Sequence, residues 1–334
     1  MEKVVLVGFD GSPTSRQALD WALAEAKNRG WALRLVSAFA PAPIDDPMVS
    51  DGYADAAAHA GHTLLQDALD RAKAVDVRAE SRVVAGDPSE ILVDLSHEAG
   101  LAVVGKRGRG GFTGRLLGSV SSALAAHAAC PTVVVPQNWG AADNRNGGLG
   151  DTGRVKARRP ETGYQPWLVS SPPGMRGNKG LHPDDKDSSW NYGGQVVVGI
   201  DALGANNPAV WAAAATARAH GKALRLVSTR APFYRDSIWL DHGENADRFR
   251  EDVAGELDPV LGEVRTRYPG LDASWNFYIG KPAEILVHIT HTAELMVLGT
   301  RGHGGFPGLL LGSVSQAVLH HGACPMMVVP KEPS

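Results

Sequence analysis

Two stretches of the 334-residue chain carry residue types suited to holding a phosphate group. The first is Gly105-Lys106-Arg107-Gly108, then nine residues, then Gly118-Ser119. The second is Gly299-Thr300-Arg301-Gly302, nine residues again, then Gly312-Ser313. Glycine lets a backbone approach a ligand closely. A helix beginning at Ser119 or Ser313 would offer free amides and the positive end of its dipole to an anion. Each Ser hydroxyl is expected to cap its helix and to donate to a phosphate oxygen. Arg107, Arg109 and Arg115 add positive charge to the first loop, and Arg301 with His303 to the second. Neither loop is a Walker A motif, since Leu117 and Leu311 stand where its Lys would be. Residues 106–117 and 300–311 contain no Asp or Glu, so a carboxylate beside either loop is not expected, and Mg²⁺ would be held by phosphates and water.

Such loops need a rigid frame, and the chain supplies it twice. Ala32-Leu33-Arg34-Leu35-Val36-Ser37 recurs unchanged at residues 223–228, and Gly86-Asp87-Pro88-Ser89-Glu90-Ile91-Leu92-Val93 returns with two changes at 280–287. The segment 105–136 returns without a gap at 299–330. The period is far too long for a solenoid, so each copy is a domain. Within copy one, apolar runs at 4–9, 33–39, 78–84, 101–105 and 132–135 read as strands. Helical patterns lie between them, with Ala18, Leu19, Ala22, Leu23 and Ala26 on one face and Leu64, Leu65, Ala68, Leu69 and Ala72 on another. Asp87-Pro88-Ser89-Glu90 reads as a helix start. The expected fold class is α/β: two tandem doubly wound domains, each a five-stranded parallel sheet with four helices. Ligands of such sheets bind outside the carboxyl ends of the strands, where both Gly-rich loops begin.

The spacing Gly-x2-Gly-x9-Gly-Ser after the fourth strand, present in both copies, resembles the ATP-binding branch of the universal stress protein family. The resemblance covers residues 2–137 and 195–331. It implies a Rossmann-like fold of the adenine nucleotide alpha hydrolase type and assigns ATP to the site, with Mg²⁺ as an accompanying ion. It also implies that Asp10 and Asp201, with Ala38 and Thr229, hold the adenine end. Gly8 and Gly199 precede those Asp residues. Val104, Val120, Leu298 and Val314 match positions beside the ribose and phosphates, together with Gly105, Arg107, Gly108, Gly118, Ser119, Gly299, Arg301, Gly302, Gly312 and Ser313. Copy one reads Asp10-Gly11-Ser12-Pro13, as the family does, but copy two reads Asp201-Ala202-Leu203-Gly204, which puts the second site's affinity in doubt. Family members dimerise through the last strand, so residues 132–135 and 326–329 are expected to pair within the chain as a pseudo-dimer, with a homo-oligomer as the alternative.

The expected domains are 1–137 and 195–331. Residues 138–194 between them are dense in Gly, Pro, Asn, Asp and Arg without sustained periodicity, and read as a poorly ordered linker. The alternative is a segment that docks Trp139, Trp167 or Trp190 on a domain or a partner. A net charge of −3 and a pI near 6.5 argue against nucleic acid as a partner. No run approaches the roughly 18 apolar residues of a membrane span, and residues 1–9 read as a strand rather than a signal peptide. Cys130 and Cys324 suit a reducing cytoplasm and read as small buried residues. Gly108-Arg109-Gly110-Gly111 lacks the full dinucleotide spacing, and His288, His291 and Glu294, read as one helix face, lack metal-site spacing, as do His320 and His321. No catalytic or metal residue is assigned. The leading expectation is an ATP-sensing regulator with a protein partner of unknown kind. The alternatives are a slow ATPase or autophosphorylating kinase using Ser119 or Ser313, and a nucleotide-independent interaction module.

Overall fold

The computed structural model describes residues 3–40, 47–108, 117–137, 139, 167–170, 191–201, 207–230, 243–300 and 310–331. The chain divides into two compact units, Met1–Ala141 and Ala142–Ser334.

The first unit runs β1 (Val4–Gly8), α1 (Pro13–Arg29), β2 (Ala32–Phe39), α2 (Pro47–Ala74), β3 (Ala79–Ala85), α3 (Pro88–Leu95), a 3₁₀ turn (Ser96–Glu98), β4 (Leu101–Gly105), α4 (Ser119–His127) and β5 (Thr132–Val135). All pairings are parallel, in the order β3-β2-β1-β4-β5. Val5, Leu6 and Val7 of β1 and Ala102 and Val103 of β4 are at most 1% exposed, because helices cover both faces of the central strands. Local signals start and stop the helices. Ser12 accepts from the Ser15 amide to cap α1, Pro13 follows, and Gly30 ends the helix at φ 66°. Asp87 accepts from the amides of Ser89 and Glu90 at 2.8 and 3.2 Å to cap α3, as the sequence predicts. The strand order reverses between β1 and β4, and the carboxyl ends of these two strands frame a crevice.

The second unit repeats the scheme with one addition. Its elements are β6 (Trp167–Ser170), β7 (Gln195–Ile200), α5 (Pro208–His220), β8 (Ala223–Arg230), α6 (Gly243–Arg267), β9 (Ala273–Ile279), α7 (Pro282–Ile289), β10 (Leu295–Gly299), α8 (Ser313–His321) and β11 (Met326–Val329). The five repeated strands are parallel, in the order β9-β8-β7-β10-β11. The sixth, β6, pairs antiparallel with β9, Trp167 opposite Ile279 and Ser170 opposite Asn276.

This strand corrects the reading of residues 138–194 as linker throughout. Tyr192, from the same segment, is 2% exposed. Its hydroxyl bonds the Tyr278 hydroxyl and accepts from Asn276 Nδ2 at 2.8 Å, and its amide donates to Thr292 Oγ1 at 3.1 Å. The reason lies in β9. Six of its seven residues are buried, whereas β3, its counterpart in the first unit, exposes Glu80 and Arg82 to solvent. An apolar edge strand needs cover that a charged one does not. Four residues of β6 are too few for any periodicity to reveal.

Candidate functional site

At the crevice between β1 and β4 lies a cleft of about 350 Å³. Gly8 and Asp10 come to it from β1, Ala38 from β2, and Val104 and Gly105 from β4. Arg107 and Gly108 follow β4, while Gly118, Ser119 and Val120 open α4. All ten site residues predicted for copy one therefore line a single cavity. Phe9, Ser15, Val36, Pro88, Leu92, Leu117 and Ser121 line it too and were not predicted. Most of these are apolar neighbours whose types carry no chemical signal.

Close packing explains the glycines. A Cβ on Gly105 would stand 2.7 Å from the Thr14 carbonyl carbon, so only glycine lets β4 end against the start of α1. A Cβ on Gly8 would stand 2.7 Å from Leu92 Cδ1. The loop is pinned at both ends: Thr14 Oγ1 donates to the Arg107 carbonyl, and the Gly118 amide donates to the Lys106 carbonyl at 2.9 Å. Ser121 Oγ donates to the carbonyls of Lys106 and Gly118, each at 3.1 Å. Arg109, Gly110, Gly111 and Arg115 lie outside the described residues.

Two expectations need correction. Ser119 does not cap α4; Gly118 is the N-cap, in extended conformation (φ −75°, ψ 162°), and Ser119 is the first helical residue. No side chain caps this end, so the first-turn amides of α4 have no side-chain acceptor at the cleft wall. The hydroxyl that closes the loop belongs to Ser121, a role that an ST-turn signal two positions later could have suggested. The second correction concerns Asp10. Its Oδ1 accepts from the Ser12 amide at 2.9 Å, and its Oδ2 would lie 2.7 Å from a Cβ on Gly108. A carboxylate thus stands beside the Gly-rich loop after all, contributed by the turn that follows β1 rather than by the loop.

In the second unit Gly199 packs against Leu298, where a Cβ would meet Cδ2 at 2.7 Å. Gly312 caps α8 and donates to the Thr300 carbonyl at 2.7 Å, Ser313 and Val314 open the helix, and Ser315 Oγ donates to the Gly299 carbonyl at 2.8 Å. Ser313, like Ser119, is not the cap. Asp201 follows β7 and Thr229 lies in β8. Arg301, Gly302 and His303 lie outside the described residues, as do Ala202, Leu203 and Gly204. The two copies differ in construction. Asp10 is two residues before its helix cap Ser12, but Asp201 is six before Asn207. Ala209 follows the helix-opening proline where copy one has Thr14, so the hydroxyl tie to the loop has no counterpart.

The decoys resolve on geometry. α7 ends at Ile289, which takes His291 and Glu294 off the helix face imagined for them, and the described residues contain no cluster of three groups able to hold a metal. No helix among them is long and apolar enough to cross a membrane. Cys130 and Cys324 are each 5% exposed. Burial pushes the Cys130 thiol up to about 12, so it stays protonated at neutral pH. Iodoacetamide at pH 7.5 should label Cys130 in the native protein at least ~100-fold more slowly than in urea; equal rates would contradict the burial.

The comparisons agree with this architecture. The model of the universal stress protein family matches residues 1–136 and 194–330. A universal stress protein of Mycobacterium bovis is 28% identical over 367 aligned residues, covering 99% of this chain and 96% of its own. One from Mycobacterium tuberculosis is 29% identical, covering 97% and 95%. The crystal structure of a universal stress protein from Archaeoglobus fulgidus covers 98% of this chain and 96% of its own with a TM-score of 0.58, at 18% identity, a likeness of fold. A domain matched twice, in relatives that span the whole chain, places this protein in the universal stress protein family as a tandem two-domain member.

Proposed function

We propose that the protein binds ATP in the first-unit cleft and acts as a nucleotide-sensing regulator in stress or growth-arrest adaptation. One observation carries this reading: ten residues picked for phosphate and adenine contacts line one cleft of about 350 Å³ beside an uncapped helix start. That volume suits a small-molecule ligand. The residues present fit a nucleotide. The first-turn amides of α4 and Arg107 supply donors for phosphate oxygens. Asp10 supplies an acceptor for hydroxyl or amine groups, and Ala38 leaves room for a flat base. Mg²⁺ would be held chiefly by the phosphates and water, since Asp10 already accepts from Ser12. The second unit offers an altered version of the same site, with weaker binding expected from its longer Asp201 loop and missing Thr tie.

Sensing suits this cleft better than turnover. Fast phosphoryl transfer needs a charge clamp, held metal ions and a group that orients the nucleophile. Among the described residues, those lining the cleft offer glycines, Arg107 and a single carboxylate engaged in a turn. Phosphate release should therefore stay below about one turnover per second. The deciding experiment measures nucleotide carried by the purified protein and its steady-state phosphate release, beside a Gly118→Val, Gly312→Val double variant. Co-purified ATP with slow release supports the reading. Site-dependent release of several per second would make the protein an enzyme, and absence of nucleotide binding would leave an interaction module.

A further inference from the structure

Arg34 in β2 and Arg225 in β8 occupy the same place in the two repeats, each the third residue of Ala-Leu-Arg-Leu-Val-Ser. In the first unit the guanidinium meets two carboxylates, Glu80 through Nε and Glu98 through Nη1 at 2.9 Å. The second unit has replaced both. Ser274 stands in register with Arg225 as Glu80 does with Arg34, and Thr292 precedes β10 by three residues as Glu98 precedes β4. Arg225 keeps one hydrogen bond, from Nε to Gln195 Oε1 at 3.1 Å, and no carboxylate lies within ion-pair distance of it among the described residues. A guanidinium has five N–H donors, so most of this one's have no acceptor among the described residues. Burial lowers the Arg225 pKa, opposed by Tyr192, Asp272 and Tyr278, so Asp272 is the acid that acts on it from a distance. Beside it, Ser274 is 1% exposed and its hydroxyl has no hydrogen-bond partner. Register neighbours in a sheet present their side chains on one face, so the unused donors and the orphaned hydroxyl lie on the same face of the sheet. Asn276, two residues along β9, emerges on that face as well and holds Tyr192 at its edge.

We propose that Arg225 and Ser274 form a binding site for a small oxyanion, a carboxylate or phosphate group. It lies at the amino ends of β8 and β9, at the opposite end of the strands from the Gly-rich loop. A planar guanidinium with free donors matches an oxyanion in two-point contact, and the hydroxyl adds a third donor. The ligand takes the place that Glu80 and Glu98 fill in the first unit. This inference does not depend on ATP binding.

The test restores the missing carboxylate. Thermal unfolding of the full chain is followed in sodium phosphate, sodium acetate and sodium chloride at matched ionic strength. The wild type should be stabilised saturably by phosphate or acetate over chloride, the stronger of the two naming the anion class. Ser274→Glu should be more stable than wild type in chloride, with its anion affinity reduced at least tenfold. Arg225→Gln should lose the response without that gain. Anion binding in the nucleotide cleft would persist in both variants. A wild type indifferent to both anions, or a response unchanged in both variants, would overturn the proposal.

Discussion

Gly118→Val should lower ATP affinity at the first-unit cleft at least ~100-fold, about 2.7 kcal/mol, while leaving the fold intact. The backbone at Gly118 is extended, with φ −75°, so a branched residue fits it without strain. An added Cβ would stand 3.4 Å from the Lys106 carbonyl oxygen and from Ser121 Oγ, at the edge of ordinary contact. Gly118 lines the cleft, so the two methyl groups beyond that Cβ are expected to intrude on it beside the first-turn amides of α4. Calorimetry should find roughly micromolar affinity in the wild type and loss of one class of site in the variant. Adding Gly312→Val should remove what remains. Full binding by the double variant, with an unchanged circular dichroism spectrum, would refute the site assignment.

Tyr192→Ala should destabilise the second unit by about 3–5 kcal/mol, the cost of emptying a buried aromatic position. The ring is 2% exposed, and its loss also removes one hydrogen-bond partner from Asn276 Nδ2 and one from the Tyr278 hydroxyl. Tyr192→Phe keeps the ring and should cost about 1–3 kcal/mol through the loss of those two hydrogen bonds alone. Two units give two unfolding steps in urea, and only one should move; an Ala variant with both midpoints unchanged would show the tyrosine contributes nothing. Burial raises the pKa of both Tyr192 and Tyr278. A phenol whose folded pKa is raised contributes stability that is complete below its unfolded value near 10 and is lost as pH climbs through the folded one. The second unit should accordingly lose stability as the pH rises above about 10.

The sequence alone determined the tandem α/β architecture and the position of the Gly-rich loops. These rest on local or directly repeated information: runs of buried apolar residues for β1 and β4, the Ser12-Pro13 and Asp87-Pro88 helix starts, and glycines at fixed spacing before α4 and α8. Only the tertiary structure decided which groups meet. Asp10 comes to stand against Gly108, and Thr14 ties Arg107 from 93 positions away, because β1 and β4 are neighbours in the sheet. Ser121 rather than Ser119 closes the loop because the helix starts one residue earlier than a serine cap would require. The docking of β6 and Tyr192 on β9 was illegible for the same physical reason. Four paired residues and one tyrosine within a polar segment carry no pattern of their own, and their place follows from an apolar edge on a strand about a hundred residues farther along the chain.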